Sequence, residues 1–335
     1  MRWSTLTSLM HKDQKIFLAG HRGLVGSAIL RRLKSDGYEQ IVTRTHGELD
    51  LTNQERVEQF FVSEQPEFVI LAAGKVGGIY ANNAFPAAFI LENILIQAHV
   101  IDAAYRYGCK RFLFLGSSCI YPKFAPQPLK EEYLLTSALE PTNEAYAIAK
   151  IAGIKMCQAY SQQHNFESIC VMPTNLYGPN DNFDLANSHV LPALIRKFHD
   201  AKTLGLAAVK IWGTGTPKRE FLHADDLAEA CLFLMKQPME VVRKAAPDRI
   251  INVGVGNDIT IADVAELIAK VVGYDGKLEY DPSKPDGTPR KLLDVSRINE
   301  LGWRAKIDFR EGIDDAYQWF CQNEAGLTAG LSADS

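Results

Sequence analysis

The segment Arg111-Phe-Leu-Phe-Leu-Gly-Ser-Ser-Cys-Ile-Tyr-Pro122 joins a short apolar run to a glycine and then to small polar residues. This pattern is typical of a buried strand that ends in a loop bearing a serine and a cysteine. A predicted helix over 143–164 carries Tyr146 and, four positions later, Lys150. Residues at i and i+4 share a helix face, so the phenol and the ammonium can act on one small volume. We expect the positive charge to favour the ionised phenol, which is the chemistry of a carbonyl/alcohol redox centre.

Strands and helices alternate along the first half of the chain. Strands are predicted at 15–19, 40–44, 68–73, 111–115 and 168–172, and helices after Gly26 and over 53–63, 85–107 and 143–164. Alternation of this kind predicts right-handed crossovers and therefore an α/β fold, a Rossmann-type parallel sheet flanked by helices. Shorter elements follow, with strands predicted at 209–212 and 250–253 and helices at 190–200, 261–272 and 309–323.

The loosening of the alternation near residue 175 predicts a division of the chain into two lobes. We expect a nucleotide-binding lobe over 15–175 and a smaller α/β substrate lobe over 176–325, partly interleaved with the first. Residues 1–14 are predicted to be an N-terminal extension, and residues 326–335 a loose tail.

Composition narrows the class of protein. The 335 residues are 47% hydrophobic and 23% charged, which is ordinary for a soluble globular protein, and the formal net charge of -4 offers no basic field for nucleic acid or anionic membrane. Six cysteines occur without CxxC pairs or metal-finger spacing. We therefore expect free thiols, a reducing compartment and no metal site. Because no long apolar run occurs, we expect a cytoplasmic protein without a membrane partner.

A glycine-rich turn follows the first predicted strand and opens the first predicted helix. Glycine suits a backbone that turns with positive φ, approaches a pyrophosphate or packs a helix closely on a strand. The alternative is a plain strand-to-helix turn, but the βαβ context favours a dinucleotide. The cofactor contacts predicted in this turn are Gly20, His21, Arg22, Gly23, Leu24, Val25 and Gly26.

The end of the second predicted strand indicates which dinucleotide is bound. An NAD-binding unit usually has Asp or Glu there to hold the ribose hydroxyls, whereas this strand ends in Arg44, followed by His46. A basic residue suits a 2'-phosphate, and Arg22 offers a second positive contact. NADP(H) is therefore favoured over NAD(H), the alternative being that Arg44 and His46 are solvated loop residues.

In addition to these motifs the sequence contains longer strings, among them Lys75-Val-Gly-Gly-Ile79, Glu140-Pro-Thr-Asn-Glu144, Pro173-Thr-Asn-Leu-Tyr-Gly-Pro179 and Lys284-Pro-Asp-Gly-Thr-Pro-Arg-Lys-Leu-Leu-Asp294. With them the chain resembles the extended short-chain dehydrogenase/reductases that act on nucleotide sugars, and most closely the GDP-L-fucose synthase family. The resemblance implies NADPH-dependent conversion of GDP-4-keto-6-deoxy-D-mannose to GDP-L-fucose, by epimerisation at C3 and C5 and then reduction of the C4 ketone. It also implies a homodimer, formed by the helices predicted at 86–107 and 143–164.

The resemblance implies roles for individual residues. Ser117, Tyr146 and Lys150 would form the reductase triad, Cys119 would be the base in epimerisation and His189 the acid. Further cofactor contacts implied in this way are Leu49, Asp50, Leu51, Leu115, Gly116, Ser117, Ser118, Lys150, Pro173, Thr174, Asn175, Leu176 and His189. Contacts with the GDP-sugar are implied for Lys197, Trp212, Arg219, Asp286 and Lys291.

The chemistry of a 4-ketone explains why a cysteine and a histidine would accompany the reductase triad. The ketone acidifies the protons at C3 and C5, and inversion needs a base on one face and an acid on the other. Cys119 lies two residues beyond Ser117, and in extended chain this spacing returns its side chain to the same side. A nearby positive charge favours the thiolate, and we expect His189 to supply it as an imidazolium. The alternatives are a small buried hydrophobe at Cys119 and a hydrogen-bonded loop histidine.

Two other functions remain open at this stage. Another nucleotide-sugar epimerase/reductase or 4,6-dehydratase of the same family would share the fold and the Tyr-Lys pair. A dehydratase, however, needs an acid and a carboxylate base where this chain has Ser118 and Cys119. A non-catalytic NADP-sensing regulator belongs to another class, and such regulators tend to lose the tyrosine that this chain keeps.

Overall fold

The computed structural model describes residues 10–185, 188–284 and 286–330, without the side chains of residues 79–80 and 324–330. Its centre is a six-stranded sheet in which all strands are parallel. In spatial order the strands are β2 (Ile41–Val42), β1 (Ile16–Ala19), β3 (Phe68–Leu71), β4 (Arg111–Leu115), β5 (Ser168–Pro173) and β10 (Ile250–Val253). The predicted Rossmann-type parallel sheet is confirmed. The strand order reverses between β1 and β3, and ligands of such sheets bind outside the carboxyl ends of the strands at this reversal.

Helices cover both faces of the sheet because its strands are apolar on both sides. They are α1 (Leu24–Ser35), α2 (Gln54–Glu64), α3 (Ile79–Ala84), α4 (Pro86–Arg106), α5 (Glu144–His164) and α7 (Ala224–Lys236). One core cluster lies between the sheet and the helices α1 and α7, and a second lies under α2, α4 and α5. The alternating faces of β4 feed both clusters, since Leu113 packs in the first and its neighbours Phe112 and Phe114 in the second.

A third core cluster is built from α6 (Val190–Thr203), α9 (Ile261–Val272) and α11 (Phe309–Gly330). Small sheets surround it: β7 (Ala208–Trp212) with β12 (Lys277–Asp281), β6 (Asn175–Tyr177) with β9 (Phe221–His223), and β8 (Lys218–Arg219) between β11 (Ile259–Thr260) and β13 (Arg290–Lys291). Two short helices complete the described chain, α8 (Met239–Ala245) and α10 (Ser296–Glu300).

Several predicted boundaries differ from the structure. The second strand keeps only Ile41–Val42 of the predicted 40–44, and Arg44 instead forms an ion pair with Glu64 of α2. The single helix predicted over 85–107 is α4 alone, which begins at Pro86, because Phe85 adopts a non-helical backbone conformation between α3 and α4. The helix α7 was not predicted, because its apolar run over 230–235 has the length of a buried strand, which periodicity alone does not distinguish from a buried helix segment.

The predicted terminal segments also need correction. The loose tail predicted from residue 326 is wrong for residues 326–330, because α11 continues to Gly330. A glycine inside an established helix costs only about 1 kcal/mol and does not end it. Residues 331–335 lie outside the described chain, as do residues 1–9 of the predicted extension. Met10, the first described residue, is buried in the core, and its carbonyl accepts a hydrogen bond from Tyr38.

The helix α4 is long and apolar enough to cross a membrane, judged by length and composition alone. Its side facing the protein nevertheless carries buried amides. Asn93 Nδ2 donates to the carbonyls of Phe89 and Lys75, and Gln97 Nε2 donates to the carbonyl of Ala149 on α5. Apolar residues of α4 pack under the sheet in the second core cluster, so α4 serves here as a sheet-covering helix.

Candidate active site

The glycine turn lies between β1 and α1, at the reversal of the strand order. Gly20 has φ +86°, and a Cβ there would clash with the backbone of Ala72. A Cβ on Gly26 would clash with the Gly20 carbonyl, so both glycines are required by packing within the protein. Gly23 is exposed and meets only an ordinary contact, and it begins α1 without a side-chain cap. The free N–H groups of this helix start suit an anionic group such as a pyrophosphate.

Two of the residues predicted to contact a 2'-phosphate lie in different environments. Arg44 donates to Glu64 at 2.5 Å, with its guanidinium 5.6 Å from the centre of the Phe60 ring. Arg22 is exposed within the glycine turn. A shallow pocket of about 280 Å³ is lined by Arg44 and also by Arg56, a cation that the sequence analysis did not select. Its position on α2 gave no signal, because a charged residue on a helix surface is commonplace.

The loop after β2 holds four more predicted cofactor contacts. His46 is exposed, with Nδ1 4.0 Å from Asp50 Oδ1. The Asp50 carboxylate accepts from the N–H and hydroxyl of Thr52, which lowers the pKa of Asp50. Leu49 and Leu51 are buried in the second core cluster. The loop is thus held by its own turn and by two buried leucines, and its role in cofactor binding stays a prediction.

The three residues predicted for reduction come together at the carboxyl end of β4. The hydroxyl of Ser117 accepts from the Cys119 N–H at 3.3 Å, and Ser117 lies close enough to Tyr146 to influence the pKa of the phenol. Lys150 is buried, and its Nζ donates to the carbonyl of Leu115 at 2.9 Å. The same ammonium lies 5.8 Å from the centre of the Tyr146 ring. Gly116 and Ser118 are buried in the turn between these groups.

The expected effect of Lys150 on the phenol is wrong for this structure. Burial raises the pKa of Tyr146, the nearby Cys119 raises it further, and the hydrogen bond from Ser117 acts in the opposite direction. Burial also lowers the pKa of Lys150 to about 8. The lysine binds a main-chain carbonyl rather than the phenol, and desolvation outweighs its charge. Tyr146 is therefore a neutral phenol that can donate a proton.

Cys119 is half-buried beside the triad, but the geometry differs from the extended chain that we expected. Residues Ser118–Ile120 form a 3-10 turn, capped by the Ser117 side chain. The turn arises because the Ser117 hydroxyl accepts the Cys119 N–H, and such local bonds compete with extended structure. The thiol still faces the site, because its charge acts on Tyr146.

The cation beside the thiol is Lys291 and not the expected imidazolium of His189. Lys291 Nζ lies 3.6 Å from Cys119 Sγ. His189 lies at the position before the first residue of α6 and keeps solvent-accessible surface, but the protein atoms packed around its ring desolvate it, and this desolvation and the charge of Lys291 lower its pKa. The neutral imidazole is favoured because two neighbouring positive charges repel. Sequence spacing gave no signal for this contact, since Cys119 and Lys291 are 172 residues apart.

The segment after β5 connects the two sides of the site. Thr174 is buried, and its hydroxyl donates to the carbonyl of Glu220, as does the side-chain amide of Asn175. Pro173 ends β5 and Leu176 is half-buried in β6. The polar side chains of this segment are thus engaged in positioning β9, and the cofactor contacts predicted here would have to come from other atoms.

The predicted substrate residues form a basic platform with an exposed indole. Trp212 is 63% exposed, and the Nζ atoms of Lys197 and Lys284 lie 5.3 and 5.7 Å from its ring centre. Burial lowers the pKa of Lys197 and of Arg219, the latter against the opposing charge of Asp286. Asp286 accepts from the N–H and the hydroxyl of Thr214. An aromatic face among cations suits a base and a diphosphate.

One group of possible metal ligands lies among the described residues, formed by His223, Asp225 and Asp315. His223 Nδ1 accepts the N–H of Asp225, which places the imidazole proton of a neutral His223 on Nε2. Nε2 lies 3.2 Å from Asp315. A protonated Nε2 has no lone pair for a cation, so the geometry fits a helix cap whose ring N–H lies near the Asp315 carboxylate.

Comparisons with known proteins agree with this geometry. The model of the NAD dependent epimerase/dehydratase family matches residues 16–254. The chain belongs to this family. It is 58% identical to GDP-L-fucose synthase 1 of Arabidopsis thaliana, covering 96% of this chain and 97% of that protein. It is 53% identical to GDP-L-fucose synthase of Escherichia coli strain K12, covering 93% and 98%. The resemblance stated from the motifs is confirmed.

Solved structures share the fold over nearly the whole chain. A GDP-6-OMe-4-keto-L-xylo-heptose reductase from C. jejuni is 37% identical with TM-score 0.88, covering 94% of this chain and 99% of that one. A GDP-L-fucose synthetase from Naegleria fowleri bound to NADP is 26% identical with TM-score 0.86, covering 96% and 98%. The family therefore includes proteins whose names state reduction alone.

Proposed function

We propose that this protein converts GDP-4-keto-6-deoxy-D-mannose to GDP-L-fucose, by epimerisation at C3 and C5 followed by reduction at C4 with NADPH. The observation that carries the proposal is the position of Ser117. Its hydroxyl accepts the Cys119 N–H, and Ser117 lies close enough to Tyr146 to lower the pKa of the phenol, so the groups for both reactions meet at one strand end. The names of the relatives at 53% and 58% identity give the product, GDP-L-fucose.

In the epimerisation, Cys119 acts as a thiolate that removes the proton from C3 or C5. The electron pair of the broken C–H bond moves into the C4 carbonyl, and the resulting enolate oxygen accepts hydrogen bonds from Ser117 and Tyr146. His189 returns a proton to the opposite face of the carbon. Because its lowered pKa favours the neutral ring, His189 takes up a proton from solvent before the transfer, and the imidazolium so formed is a stronger acid than that of an ordinary histidine.

In the reduction, the same two hydroxyls hold the C4 oxygen. NADPH, when bound, supplies the hydride to C4. Tyr146 donates its proton to the oxygen, which its raised pKa permits because the phenol is neutral before the step. Ser117 stabilises the charge that develops on the oxygen, and Lys150 offers a buried positive group close to the phenol.

The residues present fit NADPH. The uncapped start of α1 with the exposed Gly23 suits the pyrophosphate, and Arg22 and Arg44 offer positive charge for the 2'-phosphate. Arg44 would have to share its guanidinium with Glu64 or exchange partners. The platform of Trp212, Lys197 and Arg219 suits the base and diphosphate of GDP.

We also propose the lobe division and the assembly predicted from the sequence, namely lobes over 15–175 and 176–325 and a homodimer through α4 and α5. Leu91 on α4 is 57% exposed and Ile148 on α5 is 39% exposed, which leaves apolar surface on two neighbouring helices. A Leu91→Arg variant should elute as a monomer in size-exclusion chromatography with light scattering. Elution of the wild type as a monomer would reject the dimer.

The free cysteines support a cytoplasmic location.

The function is tested by mixing the protein with NADPH and authentic GDP-4-keto-6-deoxy-D-mannose and following the absorbance of the reduced nicotinamide. The product is then separated and identified as GDP-L-fucose by its coupling constants in NMR. Absence of NADPH oxidation by folded protein rejects the proposal.

A reductase without epimerisation is the second candidate, favoured by the relative whose name states only a heptose reductase. The two candidates differ in solvent deuterium. An epimerase/reductase incorporates deuterium at C3 and C5, whereas a reductase alone leaves both positions unlabelled and gives a product with the substrate's configuration.

A further inference from the structure

Lys291 contacts Cys119 in the folded protein, although the two residues are far apart in the sequence. The two atoms, Nζ and Sγ, are 3.6 Å apart in a half-buried part of the site. A charge-assisted hydrogen bond at this distance favours the ionised partner, and a positive neighbour is the ordinary means of making a cysteine reactive. Family resemblance gave Lys291 a role in contacting the substrate, whereas the geometry gives it a partner within the protein.

The main chain around Lys291 is fixed from both sides. Its carbonyl accepts the N–H of Glu220, and β13 pairs with β8 in register, Lys291 opposite Arg219. The next residue, Leu292, receives a hydrogen bond from the Leu129 N–H and donates its own N–H to the Gln127 side chain. The strand that carries Lys291 is therefore hydrogen bonded to the segment of chain that follows Cys119.

The buried carboxylate of Glu220 also fixes the position of the strand that carries Lys291. Its oxygens accept the N–H groups of Leu293, Val255 and Gly256 at 2.7 to 2.9 Å. Glu220 is fully buried, so these three bonds are the compensation for its burial. They hold the strand bearing Lys291 against the edge of the first lobe.

The groups that face the thiol differ in charge. Tyr146 approaches from α5 as a neutral phenol, and Ser117 contributes a hydroxyl that is already bonded to the Cys119 N–H. The pKa of His189, before α6, is lowered by desolvation and by the charge of Lys291. Among these neighbours Lys291 is the permanent positive charge.

We propose that Lys291 is a positioning residue that keeps Cys119 as a thiolate in the free enzyme and so prepares the base for epimerisation, an inference that rests on the function proposed above. The thiol proton is lost to solvent, the ammonium keeps its own three protons, and the ion pair Lys291–Cys119 remains. When the thiolate accepts a proton from C3 or C5, the electron pair passes to the C4 carbonyl. Lys291 then faces a neutral thiol, which loses the proton again before the second carbon reacts.

The test measures ionisation of Cys119 without substrate or cofactor. In a Cys321→Ser background, which removes the one exposed cysteine among the described residues, the rate of Cys119 alkylation by iodoacetamide is followed against pH by peptide mass spectrometry. We expect Lys291→Met to raise the midpoint of this profile by about one to three pH units. Lys291→Arg keeps the charge and should keep the midpoint near that of the unaltered chain.

Lys218→Met is the matched control, because it removes one exposed lysine from β8, the neighbouring strand of the same sheet. Its midpoint should equal that of the parent. An unchanged midpoint in Lys291→Met, with folding verified by circular dichroism, overturns the proposal. If Lys291→Met does not fold, a midpoint for Lys291→Arg and the parent at the value of an ordinary thiol overturns it equally.

Turnover separates this inference from the proposed function. If the parent enzyme does not make GDP-L-fucose, the function fails while the alkylation profile still stands. With an active parent, loss of the thiolate in Lys291→Met moves the pH profile of deuterium exchange at C3 and C5 to higher pH. A lysine that only contacted substrate would raise KM without moving that profile.

Discussion

The two halves of the candidate site are assembled in different ways. Ser117, Tyr146 and Lys150 come from one strand end and the next helix, within a span of 34 residues. Cys119 shares that strand end, but its partners Lys291 and His189 come from β13 and from the segment before α6. The reduction half is thus local in sequence, and the epimerisation half exists only because β13 and the segment before α6 come close to the end of β4 in the folded chain. This difference means that the first half can be preserved while the second is changed, which suits a family whose members include named reductases.

The strongest way to separate the halves is Tyr146→Phe, which removes the proton donor of the reduction. We expect NADPH oxidation to fall by about 10³-fold, within the range ascribed to general acid catalysis. Deuterium exchange at C3 and C5 should fall less than reduction, because the phenol only donates a hydrogen bond to the enolate, which Ser117 still stabilises, while Cys119 and Lys291 are untouched. Both are measured on the same substrate, by absorbance and by NMR. An equal loss of exchange would contradict the division into two halves.

Cys119→Ser tests the other half. A serine hydroxyl ionises far less readily than a thiol, so we expect deuterium exchange at C3 and C5 to fall by about 10²-fold or more. Reduction should be retained, with a C4-reduced product that keeps the configuration of the substrate. Cys157→Ser is a poor control because that residue is fully buried, whereas Cys321→Ser, on the exposed surface, should leave exchange unchanged. Retention of exchange in Cys119→Ser would assign the base elsewhere.

Lys150→Met should show by how much the burial of the Lys150 charge lowers the free energy of unfolding. The folded pKa of Lys150 is about 8 and its ordinary value is 10.5. Because the folded pKa is the lower one, unfolding takes up a proton between these values, and the cost of burying the charge is fully present below pH 8 and disappears as the pH rises past 10.5. At pH 7 the variant should unfold with a free energy higher by up to about 3 kcal/mol.

The measurement is urea unfolding of both proteins between pH 7 and pH 10. Loss of the hydrogen bond to Leu115 lowers the gain by a constant amount and leaves the trend unaltered. Lys155→Met, on the exposed side of the same helix, is the control and should show no such trend. A stability difference that does not shrink above pH 8 would contradict the lowered pKa.

Arg44→Ala should have the smallest effect of the set and bears on the cofactor of the reduction half. We expect the Kd for NADPH to rise about tenfold and that for NADH to remain nearly unchanged, since only NADPH carries the 2'-phosphate. Binding is measured by nicotinamide fluorescence. Lys15→Ala is the matched control, because Lys15 also pairs with Glu64. Equal effects on both nucleotides would remove Arg44 from the 2'-phosphate site.

Much of the fold followed from the sequence because its signals are local. Alternating apolar runs gave five of the six strands of the central sheet in the first lobe, and β10 was predicted from Ile250 to Val253, where it lies. The helix α7 was not predicted because its apolar run over 230–235 is as short as a buried strand, and the helix predicted to end at 323 continues to Gly330. In the site, Tyr146 and Lys150 were predictable from helix geometry, whereas Arg56 gave no distinguishing pattern.

The sequence by itself determined the parallel sheet, the glycine turn and the placing of a serine, a tyrosine and a lysine around one strand end, because each depends on spacing within a strand or a helix. Only the tertiary structure decided which cation stands beside Cys119, that Lys150 binds the Leu115 carbonyl, and that burial makes Tyr146 a neutral phenol. Charge and desolvation act through space over a few ångströms. Groups 172 residues apart in the chain can therefore control one another in the folded protein.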